Sequence, residues 1–111
     1  MSAGPPGSGA GGDAMDDAVA RLAAAARRRN LERADRVLDL VPPGEDLFDV
    51  AARDEAVLLC HSIAGSAGTF GDGELAEAAR DLESLLRDGR SARRVPALGR
   101  LRATVQDLRR R

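Results

Sequence analysis

The sequence predicts an all-α protein, folded as an antiparallel up-and-down four-helix bundle. Three observations carry that prediction. The chain is 43% hydrophobic, mostly Ala and Leu, with two Phe and no Tyr or Trp. Such a mixture, joined by many Arg and Glu, favours helices over strands. Apolar residues recur at three- and four-residue steps in each long segment, and no segment alternates as a strand does. The segments are joined by short turns, which make neighbours antiparallel.

Residues 1–12, MSAGPPGSGAGG, offer nothing for a core and read as a flexible Gly/Pro-rich tail. Residues 13–111 then form the bundle. Asp13 suits an N-cap, with Asp16 and Asp17 in the first turn. Val19, Leu22, Ala23 and Ala26 follow at helical spacing. A second run of Leu31, Ala34, Val37, Leu38 and Val41 is out of phase with the first across Asn30. Residues 13–41 are therefore either one disturbed helix or two short ones, the latter adding an extra N-terminal helix. Pro42-Pro43-Gly44 ends the segment.

A further helical unit runs from about Glu45 to about Phe70. Gly71-Asp72-Gly73 makes a turn, and Asp72 suits the cap of a helix carrying Leu75, Ala78, Ala79, Leu82, Leu85 and Leu86. Asp88-Gly89 stops it. Ser91 suits the cap of a last helix with Val95, Leu98, Leu101, Val105 and Leu108, ending on three arginines as the helix dipole prefers.

Composition also excludes function classes. A length of 111 residues argues for one domain. One Cys allows no internal disulfide, and one Cys with one His cannot build a zinc site, so no metal is expected. No stretch reaches a membrane span and no secretory pattern opens the chain, which places the expectation in the cytoplasm, away from membranes. The net charge is −1 but split: residues 1–86 carry −8 and residues 87–111 carry +7. All 17 basic residues are Arg. The Arg-rich end lacks aromatics for base stacking and any nucleic-acid motif, so nucleic acid is not an expected partner.

The single histidine, His61, lies in the 45–70 unit. With Leu59 as origin and about 100° per residue, Phe48, Ala52, Ala56, Ile63, Ser66, Ala67 and Phe70 fall within about 80° of it. That is a core stripe of ordinary width. His61 falls at about 200°, opposite the core and toward solvent. Gly65 stands one turn on and Gly68 two turns on. Glycine inside a helix costs about 1 kcal/mol against Ala, which access to the imidazole would explain. Val50, Val57 and Ala64 share that side and form, with Gly68, a bare strip suited to protein docking. A solvated surface histidine and glycines marking a helix end are the plainer reading. Cys60-His61 is no nucleophile–base pair, because successive helical residues diverge by about 100°. The run SAGTFG lacks the lysine and preceding strand of a phosphate loop.

His61-Ser62-Ile63-Ala64-Gly65-Ser66-Ala67-Gly68-Thr69-Phe70-Gly71, followed by Leu75, Ala79, Leu82 and Glu83, resembles the histidine-containing phosphotransfer (HPt) domain. The family pattern is roughly H-x-[LI]-K-G-S-A-x-x-x-G, then L-x-x-x-[AC]-x-x-[LM]-E. The close match spans about a quarter of the chain. The resemblance implies a phosphorelay protein in which His61 accepts and passes on a phosphoryl group and Gly65 leaves room for it. It implies partners that are receiver domains of response regulators, or a hybrid histidine kinase. It implies a monomeric phosphocarrier, not an enzyme, without nucleotide site or cofactor; Mg²⁺ would sit in the receiver. One position departs: Ala64 stands where many members have Lys, whose charge offsets the phosphoryl group. Arg53 and Arg80 are the candidate substitutes by proximity to the motif.

A neutral imidazole is a nucleophile near neutral pH and needs no separate base. Attack on a receiver's phospho-aspartate would be in line. Two other readings stand beside the relay. A non-catalytic receiver-binding adaptor would fit the missing Lys. The dimerisation domain of a histidine kinase would normally place an acid after the His and a Pro downstream, where this chain has Ser62 and no Pro within the helix.

Overall fold

The computed structural model describes residues 6–44 and 48–111. Four helices follow in order: α1 (Pro6–Leu40), α2 (Val50–Thr69), α3 (Gly73–Asp88) and α4 (Arg94–Arg110), with a 3₁₀ turn over Ser91–Arg93 leading into α4. The helices run up and down, as expected of short connections.

Residues 13–40 lie in one helix, and Val41 follows its end. The two apolar runs looked out of phase because a polar residue occupies a core position between them. Asn30 is 1% exposed and sits on the buried stripe Ala26, Asn30, Ala34, Val37, Val41. Its amide is satisfied there: Nδ2 donates to Ser66 Oγ at 3.1 Å, and Oδ1 accepts from Arg33 Nη1 at 2.9 Å. A buried amide with its partners in place does not interrupt the helix.

The start of α1 differs from the expectation. The helix begins at Pro6, so residues 6–12 of the expected tail are helical and Asp13 is not its cap. Pro is favoured at the first helical position, and a formed helix adds residues at one hydrogen bond each without a new nucleus. Residues 1–5 of that tail, and Glu45 at the expected start of the next unit, lie outside the described residues. At about 1.5 Å per residue α1 is far longer than its neighbours, and its first half projects beyond them in a molecule 71 Å long and 24 Å wide. Met15, Val19 and Leu22 are accordingly 66%, 53% and 59% exposed.

Asp49 caps α2, its Oδ2 accepting from the Ala52 N–H at 3.1 Å. α2 ends where Phe70 N–H bonds back to Ser66 O and Gly71 takes a φ of +89°, a value glycine tolerates. Asp72 occupies the cap position of α3 but makes no side-chain cap bond. Its carboxylate instead takes Arg27 of α1, from Nε at 3.1 Å and Nη2 at 2.7 Å. Gly89, left-handed at φ +71°, closes α3. α4 is entered through the 3₁₀ turn with Arg93 at its cap position, so Ser91 is not its cap.

The core is aliphatic: Val37, Ile63, Leu75, Leu82 and Leu101 are fully buried, interleaved with Ala34, Ala56, Ala67 and Ala79. Small residues at these contacts let the helices approach closely. The uneven charge is spent inside the molecule. Arg109 of α4 grips Asp35 of α1 at 2.6 and 3.0 Å, and Arg100 holds Asp81 and Glu77 of α3. The basic final segment is thus partly neutralised by acids of the earlier helices.

Candidate functional site

α2 packs between α1 and α3, and that position decides which of its residues are covered. The fully or nearly buried ones are Ala56, Cys60, Ile63, Ala64 and Ala67. Their mean direction is rotated about 80° from Leu59, toward Cys60. Leu59 is only half-buried. His61 therefore stands about 115° from the core axis, on the shoulder of α2 that faces α3. Its side chain is still 72% exposed.

The shoulder position gives His61 a partner across the helix pair. Its Nδ1 lies 3.3 Å from Glu83 Oε2 on α3. A carboxylate can only accept, so Nδ1 carries the proton and donates it. Nε2 is then the ring nitrogen with a free lone pair. Glu83 is 13% exposed, and the same Oε2 accepts from Arg87 Nε, one turn along α3, at 3.0 Å, with Nη2 in ion-pair contact at 3.0 Å. Three side chains thus meet on one oxygen.

The motif spacing explains how Glu83 arrives there. Leu75, Ala79 and Leu82 are buried on the inner face of α3, and the residue after Leu82 turns about 100° to the edge that faces α2. Sequence reasoning matched Glu83 to a pattern without giving it a task and missed Arg87. Their four-residue separation, Glu before Arg, was the available signal.

Gly65 is exposed, and a Cβ built on it would meet nothing within 4 Å. The space beside the imidazole is open. Gly68 is also exposed, but a Cβ there would touch the Ala76 Cβ at 3.8 Å, so it lies at the α2–α3 contact. The expected docking strip is corrected in part. Val50 is 60% exposed, Val57 is half-buried against the core, and Ala64 is 7% exposed and belongs to the core. The rotation of α2 turned Ala64 inward and brought Leu58 outward. Leu58, 66% exposed and one turn before His61, is the large apolar residue that the angular reading missed.

Of the arginines expected to replace the Lys, Arg53 lies eight residues before His61, about 12 Å along the axis, and pairs with Asp54 at 4.0 Å. Arg80 is exposed on α3, one turn before Glu83. Neither is tied to the imidazole as Arg87 is. Cys60 is fully buried, and burial, with the Glu83 carboxylate adding to it, pushes its thiol up to about 12. It is a packing residue, not a nucleophile. Among the described residues no group of three or more His, Cys, Asp or Glu could hold a metal ion. Nor is any of their helices long and apolar enough to cross a membrane.

A family model for the Hpt domain matches residues 12–111. The chain belongs to the Hpt domain family. Hpt domains are phosphocarrier modules of phosphorelay signalling, working through histidine phosphotransfer with receiver domains or kinases. Among curated proteins and among solved structures no match was found.

Proposed function

We propose that this Hpt domain relays phosphoryl groups through His61, taking them from, and returning them to, the aspartate of a receiver domain. The observation that carries the reading is the hydrogen bond from His61 Nδ1 to Glu83 at 3.3 Å beside the open space at Gly65. With Nδ1 holding the proton, the Nε2 lone pair faces solvent and attacks phosphorus in line. The N–P bond forms as the P–O bond to the receiver aspartate breaks, and that aspartate leaves as a carboxylate. The ring becomes positive for as long as Nδ1 keeps its proton, and the Glu83 carboxylate stabilises it. In the return step the electron pair of the N–P bond stays on Nε2.

Val50, Val57 and Leu58 supply apolar surface for the receiver, and Gly65 admits the phosphoryl group. The adaptor alternative rests on the missing Lys; an arginine paired with Glu83 beside the imidazole supports the relay over it. The reading carries with it a cytoplasmic setting and no cofactor of the chain's own, the Mg²⁺ belonging to the receiver.

The test is direct because the chain has one His. Incubation with a phosphorylated receiver should give acid-labile label in the parent and none in His61→Gln. Equal labelling of that variant would overturn the assignment.

A further inference from the structure

Glu83 and Arg87 share one oxygen with the imidazole, and that arrangement has a consequence for how long a phosphoryl group stays. Taking His61 as acceptor, we infer that Arg87 is a positioning residue that sets the lifetime of the phosphohistidine by drawing charge from Glu83.

Loss of the phosphoryl group to water breaks the N–P bond as a water oxygen bonds to phosphorus. The electron pair returns to Nε2, and inorganic phosphate departs. A ring protonated at Nδ1 leaves as neutral imidazole, which is far easier than leaving as an anion. Any group that favours the protonated ring therefore hastens the loss. Glu83 Oε2, 3.3 Å from Nδ1, is such a group. A phosphoryl group adds nearly two further negative charges beside that carboxylate. Left alone, the two anions would together hold the proton on Nδ1.

Arg87 opposes them. Its Nε donates to Oε2 at 3.0 Å and its Nη2 stands at the same distance in the ion pair, so a charge-assisted bond engages the oxygen that faces the ring. An oxygen that already accepts from a guanidinium is a weaker acceptor for Nδ1–H. The contact to the ring is the longer of the two, 3.3 Å against 3.0 Å to the arginine. Glu83 and Arg87 thus pull the lifetime in opposite directions. The other charged or titratable groups nearby differ in reach. On α2, Cys60 is a buried thiol and Asp54 lies two turns earlier. On α3, Arg80 is one turn before Glu83 and bonded to neither partner among the described contacts. Ala64, where many family members carry Lys, is buried at 7% exposure, so the cation in play stands on α3 and acts through Glu83.

The experiment uses the whole chain, charged with phosphoramidate, a small phosphoryl donor that modifies histidine without a receiver. The single His makes the label unambiguous. Loss of phosphate is then followed from pH 5 to 9. Arg87→Gln should shorten the half-life roughly three- to tenfold and move the pH profile upward, the size expected when a charged partner of a carboxylate is removed. Glu83→Gln should lengthen it, and Arg87→Lys should lie near the parent. The double variant should behave as Glu83→Gln alone, since Arg87 acts through that residue. An unchanged or longer half-life in Arg87→Gln would overturn the inference. So would a double variant that still shows the Arg87→Gln effect, which would mean direct contact with the phosphoryl group. Thermal melts check that each variant is folded. Failure of the receiver to label His61, with these lifetimes as expected, would sink the relay and leave the pairing intact.

Discussion

Two carboxylate–arginine pairs in this molecule have the same chemistry and opposite uses. Asp72 and Arg27 join the start of α3 to α1, with the acid side chain 4% exposed. Glu83 and Arg87 lie one turn apart on a single helix, with the acid at 13% and the arginine at 57%. The first pair is engaged through both carboxylate oxygens and stands near the buried Asn30–Ser66 bond, so α1 and the α2–α3 turn are fastened together. The second pair holds no two helices by itself. Its carboxylate reaches instead to an imidazole that is 72% exposed. A pair with a buried acid linking distant segments acts on stability; a half-exposed pair beside the proposed nucleophile would act on its chemistry.

Five changes sharpen that contrast. Asp72→Ala leaves Arg27 without its partner; because Arg27 is 39% exposed, the loss is screened and should come to about 1–3 kcal/mol. That would lower the melting temperature by roughly 5–15 °C while phosphorylation of the folded fraction is unchanged. Gly65→Leu should do the reverse, cutting transfer from a receiver about tenfold or more by filling the approach to Nε2, with no loss of stability. Gly65→Ala should raise stability by about 0.5–1 kcal/mol in denaturant titration, since Gly65 has no positive φ and its Cβ would meet nothing. Leu58→Ala should weaken receiver affinity a few-fold and barely move the melt. Leu22→Ala, on the bare half of α1, should change stability within about 0.5 kcal/mol and receiver affinity not at all. A large melting shift from Leu22→Ala would mean that the projecting half of α1 is covered in solution.

Cys60 offers a separate check on the packing of α2. A buried thiol with its titration pushed to about 12 should resist alkylation at pH 8 in the native protein and react promptly once unfolded. The sign follows from the raised value. The thiol is favoured by the fold, so this contribution is complete below the ordinary cysteine value and fades as pH rises toward 12.

Much of the fold was legible because helix formation here is local. Residue preference, three-four spacing and Gly89 each act within a turn or two of chain. Asn30 misled because its polarity signals a break only when no partner exists, and its partner, Ser66, is 36 residues away. Asp72 misled for a similar reason: an acid before a helix reads as a cap until a distant Arg27 claims it. At the site, His61 and Gly65 were legible, one as the sole histidine and the other as an unexplained helical glycine. Ala64 was set on the wrong face because the angular reading took its origin from Leu59, and exposed Leu58 went unnoticed.

By itself the sequence determined the helical class, the succession of the last three helices and the histidine with open space one turn ahead. These rest on interactions between residues close in the chain. Only the tertiary structure decided how far α2 is turned about its axis. That turn is set by packing against α1 and α3 together, which the periodicity of one segment does not encode. The same turn moved His61 from the back of the helix to its shoulder, where Glu83 and Arg87 meet it.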